Sequence, residues 1–176
     1  YGLVVLIGFI FNVVVYTLWL KRTNGWSIIW GGVSGCMPIL AGRVLGIGEI
    51  DLIGVLLAFG VLFWIPTHNL TFSIKFAEDY AVAGVPTINS MYGIQFTRRL
   101  IILSSLLTAI VFTIAALLLG MEIYYLALIA ILSMILFYLS GTAIIKPSDK
   151  NNFNLFKYAS LFMMFSMFLF FLNGLG

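Results

Sequence analysis

Between residues 64 and 99 the chain reads WIPTHNLTFSIKFAEDYAVAGVPTINSMYGIQFTRR, a long apolar run that ends in a cluster of charge. If that run stays helical to its end, His68, Thr71, Lys75 and Asp79 recur at steps of three or four residues and share one face. An imidazole, an ammonium and a carboxylate on one stripe are groups that hold charged ligands or move protons. His68 is the sole histidine, and a histidine in a membrane segment is a functional candidate, with a satisfied packing role as the alternative. Lys75 can pair with Glu78 or Asp79 within a turn, although the two carboxylates also suit a solvated helix end. Ala83, Gly84 and Pro86 break the helix, Gly93 supplies a second flexible point, and Arg98-Arg99 opens the next apolar run. The stretch is predicted to be helix, polar loop, helix at a membrane surface.

The elements that position this stripe must lie in lipid. The chain is 62% hydrophobic and 9% charged over 176 residues, far from a soluble globular domain, and its mean hydropathy is +1.15. Six apolar stretches can each cross a bilayer as a helix: Gly2 to Leu20, Trp26 to Gly42, Leu52 to Ile74, Leu100 to Leu119, Ile123 to Ile145 and Leu155 to Leu172. A β-barrel would need strands that alternate apolar and polar, and these runs do not alternate. The expected fold is all-α, integral to the membrane, with six transmembrane helices in a single domain spanning 1–176. No internal repeat is evident.

Charge sets the expected topology. Lys21, Arg22, Lys75, Arg98, Arg99, Lys146, Lys150 and Lys157 fall on one side of the alternating spans and Arg43 on the other. That bias makes the loops after the first, third and fifth spans cytoplasmic. The net charge of +3 is not a nucleic-acid signature, because the basic residues sit at span ends instead of forming a soluble patch. Cys36, the single cysteine, lies in an apolar run, which excludes an internal disulfide and a thiolate metal cluster. The chain opens on Tyr1 without an initiator Met or basic flank, so an incomplete chain is expected.

Within the spans, Asn12 and Tyr16 lie four apart on one face, either to hydrogen-bond another helix or to face a substrate cavity. Gly31 and Gly35 form a small-xxx-small pair that admits a close neighbour, and Pro38 is expected to bend the helix after them. The fourth and fifth spans carry little beyond Ser and Thr, and the Met and Phe of the last span are expected to fill a core or face lipid.

Taken together these motifs resemble a known family. Tyr16-Thr17 with Leu20-Lys21-Arg22-Thr23, Gly31-Gly32-x-x-Gly35-x-x-Pro38-x-x-x-Gly42, Pro66-x-His68 and Asp79-Tyr80-x-x-Ala83-Gly84-Val85-Pro86 occur in the order found in the UbiA superfamily of intramembrane prenyltransferases. Leu155-Phe156-Lys157-Tyr158 also resembles that family, and the whole series is most similar to its branch that farnesylates protoheme IX. The resemblance covers residues 16 to 160. It implies a bundle of about nine helices, of which this chain would hold the last six, around a cavity open to lipid. The family's early Asn-Asp-x-x-Asp loop is missing, so the chain alone is expected to be inactive. Phe76 also stands where quinone-type relatives carry an acidic residue.

The chemistry that the resemblance implies is ionisation of an allylic diphosphate, with farnesyl diphosphate and heme b as substrates and Mg²⁺ as cofactor. Asp79 and Glu78 would hold the metal, and Asp79, Lys75 and Tyr80 would be the catalytic group. Lys21, Arg22, Lys75, Arg98 and Arg99 would bind diphosphate, although several serve equally as topology determinants. His68, Asn12 and Tyr16 would line the heme or substrate cavity, and Tyr80, Tyr16 or Trp64 could face the carbocation. Implied partners are the bilayer and a heme A synthase or terminal oxidase. The implied location is the cell membrane, or the mitochondrial inner membrane in a eukaryote. Two other readings stay open: a UbiA-type enzyme acting on a quinone precursor or glycerol phosphate lipid, and a transporter or non-catalytic membrane subunit.

Overall fold

Each apolar run satisfies its own backbone groups by coiling, as lipid requires. The computed structural model describes residues 1–174. In it α1 (Gly2–Ile10) passes without a break into a π-helical stretch (Phe11–Leu20). Then follow α2 (Ser27–Ile47), α3 (Leu52–Lys75), α4 (Ala77–Val82), α5 (Ile88–Tyr92), α6 (Ile94–Leu118), α7 (Ile123–Ile145) and α8 (Asp149–Asn173). Counting α1 with its π-helical continuation, six helices among the described residues are long and apolar enough to cross a membrane, in line with the composition.

Three boundaries differ from the sequence reading. α2 runs through Pro38 to Ile47 instead of stopping at Gly42. α6 starts at Ile94, so Arg98 and Arg99 lie inside its first turns. α8 starts at Asp149, because the Ser148 side chain accepts the Asn151 N–H and caps a polar first turn that hydropathy alone would leave as loop.

α3 is the centre of the bundle and packs against α2, α6 and α8. Gly60 of α3 lets the Phe112 ring of α6 lie flush on the backbone, where a Cβ would clash. Phe112 and Phe162 meet edge to face at 5.9 Å, and both are fully buried with Leu70, Ile101, Leu136 and Leu155. Between lipid-embedded helices packing and polar contacts replace the hydrophobic drive, each interhelical hydrogen bond contributing about 0.6 kcal/mol. Thr67 meets Ser105 across α3 and α6 at 3.0 Å. Thr113 meets Ser133 across α6 and α7 at 3.1 Å, and the Tyr158 hydroxyl of α8 donates to the Leu132 carbonyl at 3.0 Å. A smaller cluster, Val4, Ala41 and Val44, joins α1 to α2.

The polar segment after α3 is built by local signals. α3 ends at Lys75, and Phe76, at φ −112° and ψ 34°, leaves helical geometry before α4 begins at Ala77. Gly84 and Gly93 take positive φ values of 64° and 83°, as the expected breaks require. Between them Thr87 and Ser90 form a reciprocal capping box at the start of α5. The loop before α2 docks on this segment: Trp26 Nε1 donates to the Tyr92 hydroxyl at 3.1 Å, and Gly25 sits against the Thr87–Ile88 backbone, where a Cβ would be 2.8 Å away. That docking brings the Lys21 loop to the α3–α5 segment.

Candidate functional site

The π-helical stretch decides what the first helix presents inward. Its wider turns are visible in the Lys21 N–H, which donates to the Tyr16 carbonyl five residues back at 2.9 Å. At 3.6 residues per turn Asn12 and Lys21 would be two and a half turns apart and on opposite faces. At roughly 4.4 residues per turn they are two turns apart and aligned. Asn12, Tyr16 and Lys21 accordingly line one groove, made of two adjoining cavities that share Tyr16, Ile28 and Asn69. The inner cavity, about 220 Å³, is walled by Asn12, Tyr16, Gly31, Ser34, Ile65 and Asn69. The outer one, about 300 Å³, is walled by Lys21, Ser27, Asn69, Tyr80, Pro86 and Thr87.

Gly31 makes room for this wall, since a Cβ there would lie 2.7 Å from Tyr16 Cδ2. Gly35 similarly admits Ile65. Asn12 and Tyr16 both line the inner cavity. Asn69 joins them, a residue that the sequence reading passed over. Its signal was an amide at membrane depth beside His68, hidden because it falls off the three-and-four stripe.

That stripe lies on the other flank of α3. His68 is surrounded by the rings of Trp64, Phe72 and Phe156, each 5.1 Å from its own, and its Nδ1 is buried without a hydrogen-bond partner. Thr71 and Lys75 line a cavity of about 370 Å³ with Ile94, Asp149, Asn152 and Phe153, against α8. Lys21 and Lys75 therefore border different cavities, and the stripe does not continue to Asp79, because the chain turns at Phe76.

The same turn separates Lys75 from the carboxylates. Its ammonium lies over the rings of Phe76 and Phe153, at 5.3 and 4.8 Å, and the Lys75 pairing expected with Glu78 or Asp79 is absent from the ion pairs of the described residues. Glu78 and Asp79 sit exposed in the first turn of α4, next to Tyr80 in the outer cavity wall. Arg98 instead holds Asp149 at 2.6 Å, with the Arg98 side chain 12% exposed and the Asp149 side chain 79%. Arg22 and Arg99 are exposed and line none of these three cavities. Among the described residues no group of three or more His, Cys, Asp or Glu side chains is placed to hold a metal ion, so Glu78 and Asp79 stand as a pair.

The groove sets an ammonium, amides and hydroxyls beside apolar walls from Ile28, Ile65 and the glycines of α2, a lining that can take an amphiphile. The UbiA prenyltransferase family matches residues 1–172, and the chain belongs to that family. Among curated proteins it is 37% identical to protoheme IX farnesyltransferase 1 of Picrophilus torridus, over 96% of this chain and 56% of the relative. It is 35% identical to the protoheme IX farnesyltransferase of Desulforudis audaxviator, over 89% of this chain and 49% of that protein. To the protoheme IX farnesyltransferase of Korarchaeum cryptofilum it is 41% identical, over 59% of this chain and 35% of that protein. The chain thus spans about half or less of the length of these relatives. No solved structure matches it.

Proposed function

We propose that this chain forms part of an enzyme that transfers a farnesyl group from farnesyl diphosphate to a vinyl group of protoheme IX, giving heme O. Family membership and the names of the relatives support this reading. The observation that carries it is the groove itself. Lys21, Tyr80 and Thr87 at its mouth suit a diphosphate head, and Gly31, Gly35 and Ile65 at its depth suit a prenyl tail.

Glu78 and Asp79 fit a divalent metal, with Mg²⁺ the expected ion. They are hard oxygen donors, exposed, side by side in sequence, and engaged in no ion pair among the described residues. When bound, the metal would neutralise charge on the departing diphosphate. Lys21 would add a direct ammonium contact to the same oxygens, and Tyr80 a hydroxyl. The Tyr16 ring, held flat on Gly31, gives the allylic cation a π-face to lie against. The vinyl π-electrons then form the new carbon–carbon bond. The resulting porphyrin-side cation takes hydroxyl from water and releases a proton, which leaves the hydroxyethylfarnesyl group. His68, in its aromatic surround, is the residue proposed to meet the porphyrin. The end of the bundle that carries Lys21, Lys75 and Arg98 is proposed to face the cytoplasm. A heme A synthase or a terminal oxidase, which use such a product, are the partners to test by co-purification.

The test is product analysis with the intact protein in nanodiscs, supplied with heme b, farnesyl diphosphate and Mg²⁺. Heme O is expected by mass spectrometry, with a loss of roughly 10²-fold or more in Asp79→Ala. A prenylated quinone precursor or lipid alcohol in place of heme O would move the protein to a different acceptor within the same family.

A further inference from the structure

The sequence reading assigned Lys75 to the diphosphate, yet its flank of α3 carries a different arrangement of groups. The Phe153 ring of α8 has two ammonium groups over it, Lys75 Nζ and Lys157 Nζ, each 4.8 Å from its centroid. Both lysines are exposed, and neither takes part in an ion pair among the described residues. The one acidic residue of the adjoining cavity, Asp149, is already bonded to Arg98 at 2.6 Å. Two like charges on one ring repel each other, and the arrangement is relieved by an anion that bridges them. Seven residues before Lys75, roughly 10 Å deeper along the helix, His68 lies among Trp64, Phe72 and Phe156 with Nδ1 buried and unpartnered.

From basic end to depth, this seam of α3 and α8 therefore offers paired cations, then aromatic faces around an imidazole. A porphyrin has the complementary shape: a flat apolar disc with two carboxylates on one edge. We propose that Lys75 and Lys157, spaced by the Phe153 ring, clamp the two propionates of the heme acceptor and orient its disc along Phe156 and Phe72 beside His68. The inference rests on the heme-farnesylating reading and adds the groups that recognise the acceptor. It also separates the two substrates by α3 itself, prenyl diphosphate in the groove beside α1 and α2, porphyrin along α8.

The experiment is an absorbance titration of the intact protein in nanodiscs with iron protoporphyrin IX and, separately, with its dimethyl ester, alongside the mass assay for farnesylated product. Wild type is expected to bind the ester about a hundredfold more weakly than the free acid, two contacts of about tenfold each. Lys75→Gln and Lys157→Gln should each weaken the free acid about tenfold and leave the ester unchanged. The double variant should then bind the two alike. Equal binding of acid and ester by wild type overturns the clamp, and so does an equal loss for both porphyrins in the variants. If the clamp fails in that way while wild type still farnesylates heme, the functional reading stands. Wild type that neither binds nor farnesylates heme removes both.

Discussion

Trp64 donates its indole N–H to the Ala159 carbonyl at 3.1 Å, tying α3 to α8 one turn deeper than His68. The bond fixes the ring against which the imidazole tilts, so packing on this seam and the proposed porphyrin site share one support. Trp64→Phe keeps a ring and removes the donor. The expected cost is about 0.6 kcal/mol, a fall in melting temperature of roughly 1–2 °C, read by thermal denaturation in detergent. Heme affinity should fall severalfold with it, because the ring becomes free to shift.

The Arg98–Asp149 pair is lopsided, one partner covered and the other in solvent. Losing the exposed carboxylate strands a mostly covered guanidinium whose Nε already lacks a partner. Asp149→Asn is therefore expected to destabilise by about 1 kcal/mol, more than an ordinary surface pair. Adding Arg98→Met should restore most of that loss in the same melting assay, since it removes the stranded charge.

At the opposite end of the bundle Arg43 grips Asp51, with Nη2 to Oδ2 at 2.7 Å and Nε to the same oxygen at 3.2 Å. Hydrogen bonding from Arg43, reinforced by the Gly54 N–H, holds the Asp51 carboxyl below its usual range despite some desolvation. A depressed carboxylate stabilises the fold above its unfolded value of about 3.9, and the contribution disappears as pH falls from there through the folded value. Wild type should thus melt above Asp51→Asn at pH 7 by an amount equivalent to less than about 1 kcal/mol. The gap should hold down to about pH 5 and close below about pH 4. Parallel melting curves across that range check it.

Gly31 is where the groove is most sensitive to volume. A methyl group there would lie 2.7 Å from the Tyr16 ring, which itself lines the groove, so the ring must shift. Gly31→Ala is expected to destabilise by about 1–3 kcal/mol and to raise KM for the prenyl diphosphate more than it lowers kcat. Steady-state kinetics on the intact protein separate the two.

Much of this architecture was readable before any coordinates. Hydropathy marked all six spans, because apolar runs of this length have one stable form in lipid, and Gly84 and Gly93 announced the turns at which their φ values are positive. Other features were not readable, for identifiable reasons. A stripe from His68 to Asp79 assumes uninterrupted α-geometry, and the break at Phe76 is a non-glycine departure from helical geometry with no compositional mark. Asn69 carries no local mark, because Tyr16 and Tyr80, which line one cavity with it, lie 53 residues before it and 11 after it, so that only folding brings them together. The early start of α8 depended on a single serine cap that hydropathy cannot register.

The stretch from Phe11 to Leu20 has a consequence for how this chain can vary. α-helix and π-helix act there like two rulers of different pitch laid end to end, and Asn12 and Lys21 coincide only on the coarser scale. Deleting one residue between them would favour return to the finer scale, with the helix still spanning its membrane while Lys21 swings away from the groove. Length, more than identity, is therefore the constrained quantity in this segment. Substitutions should be tolerated at Val13 or Val15 far better than any insertion or deletion beside them.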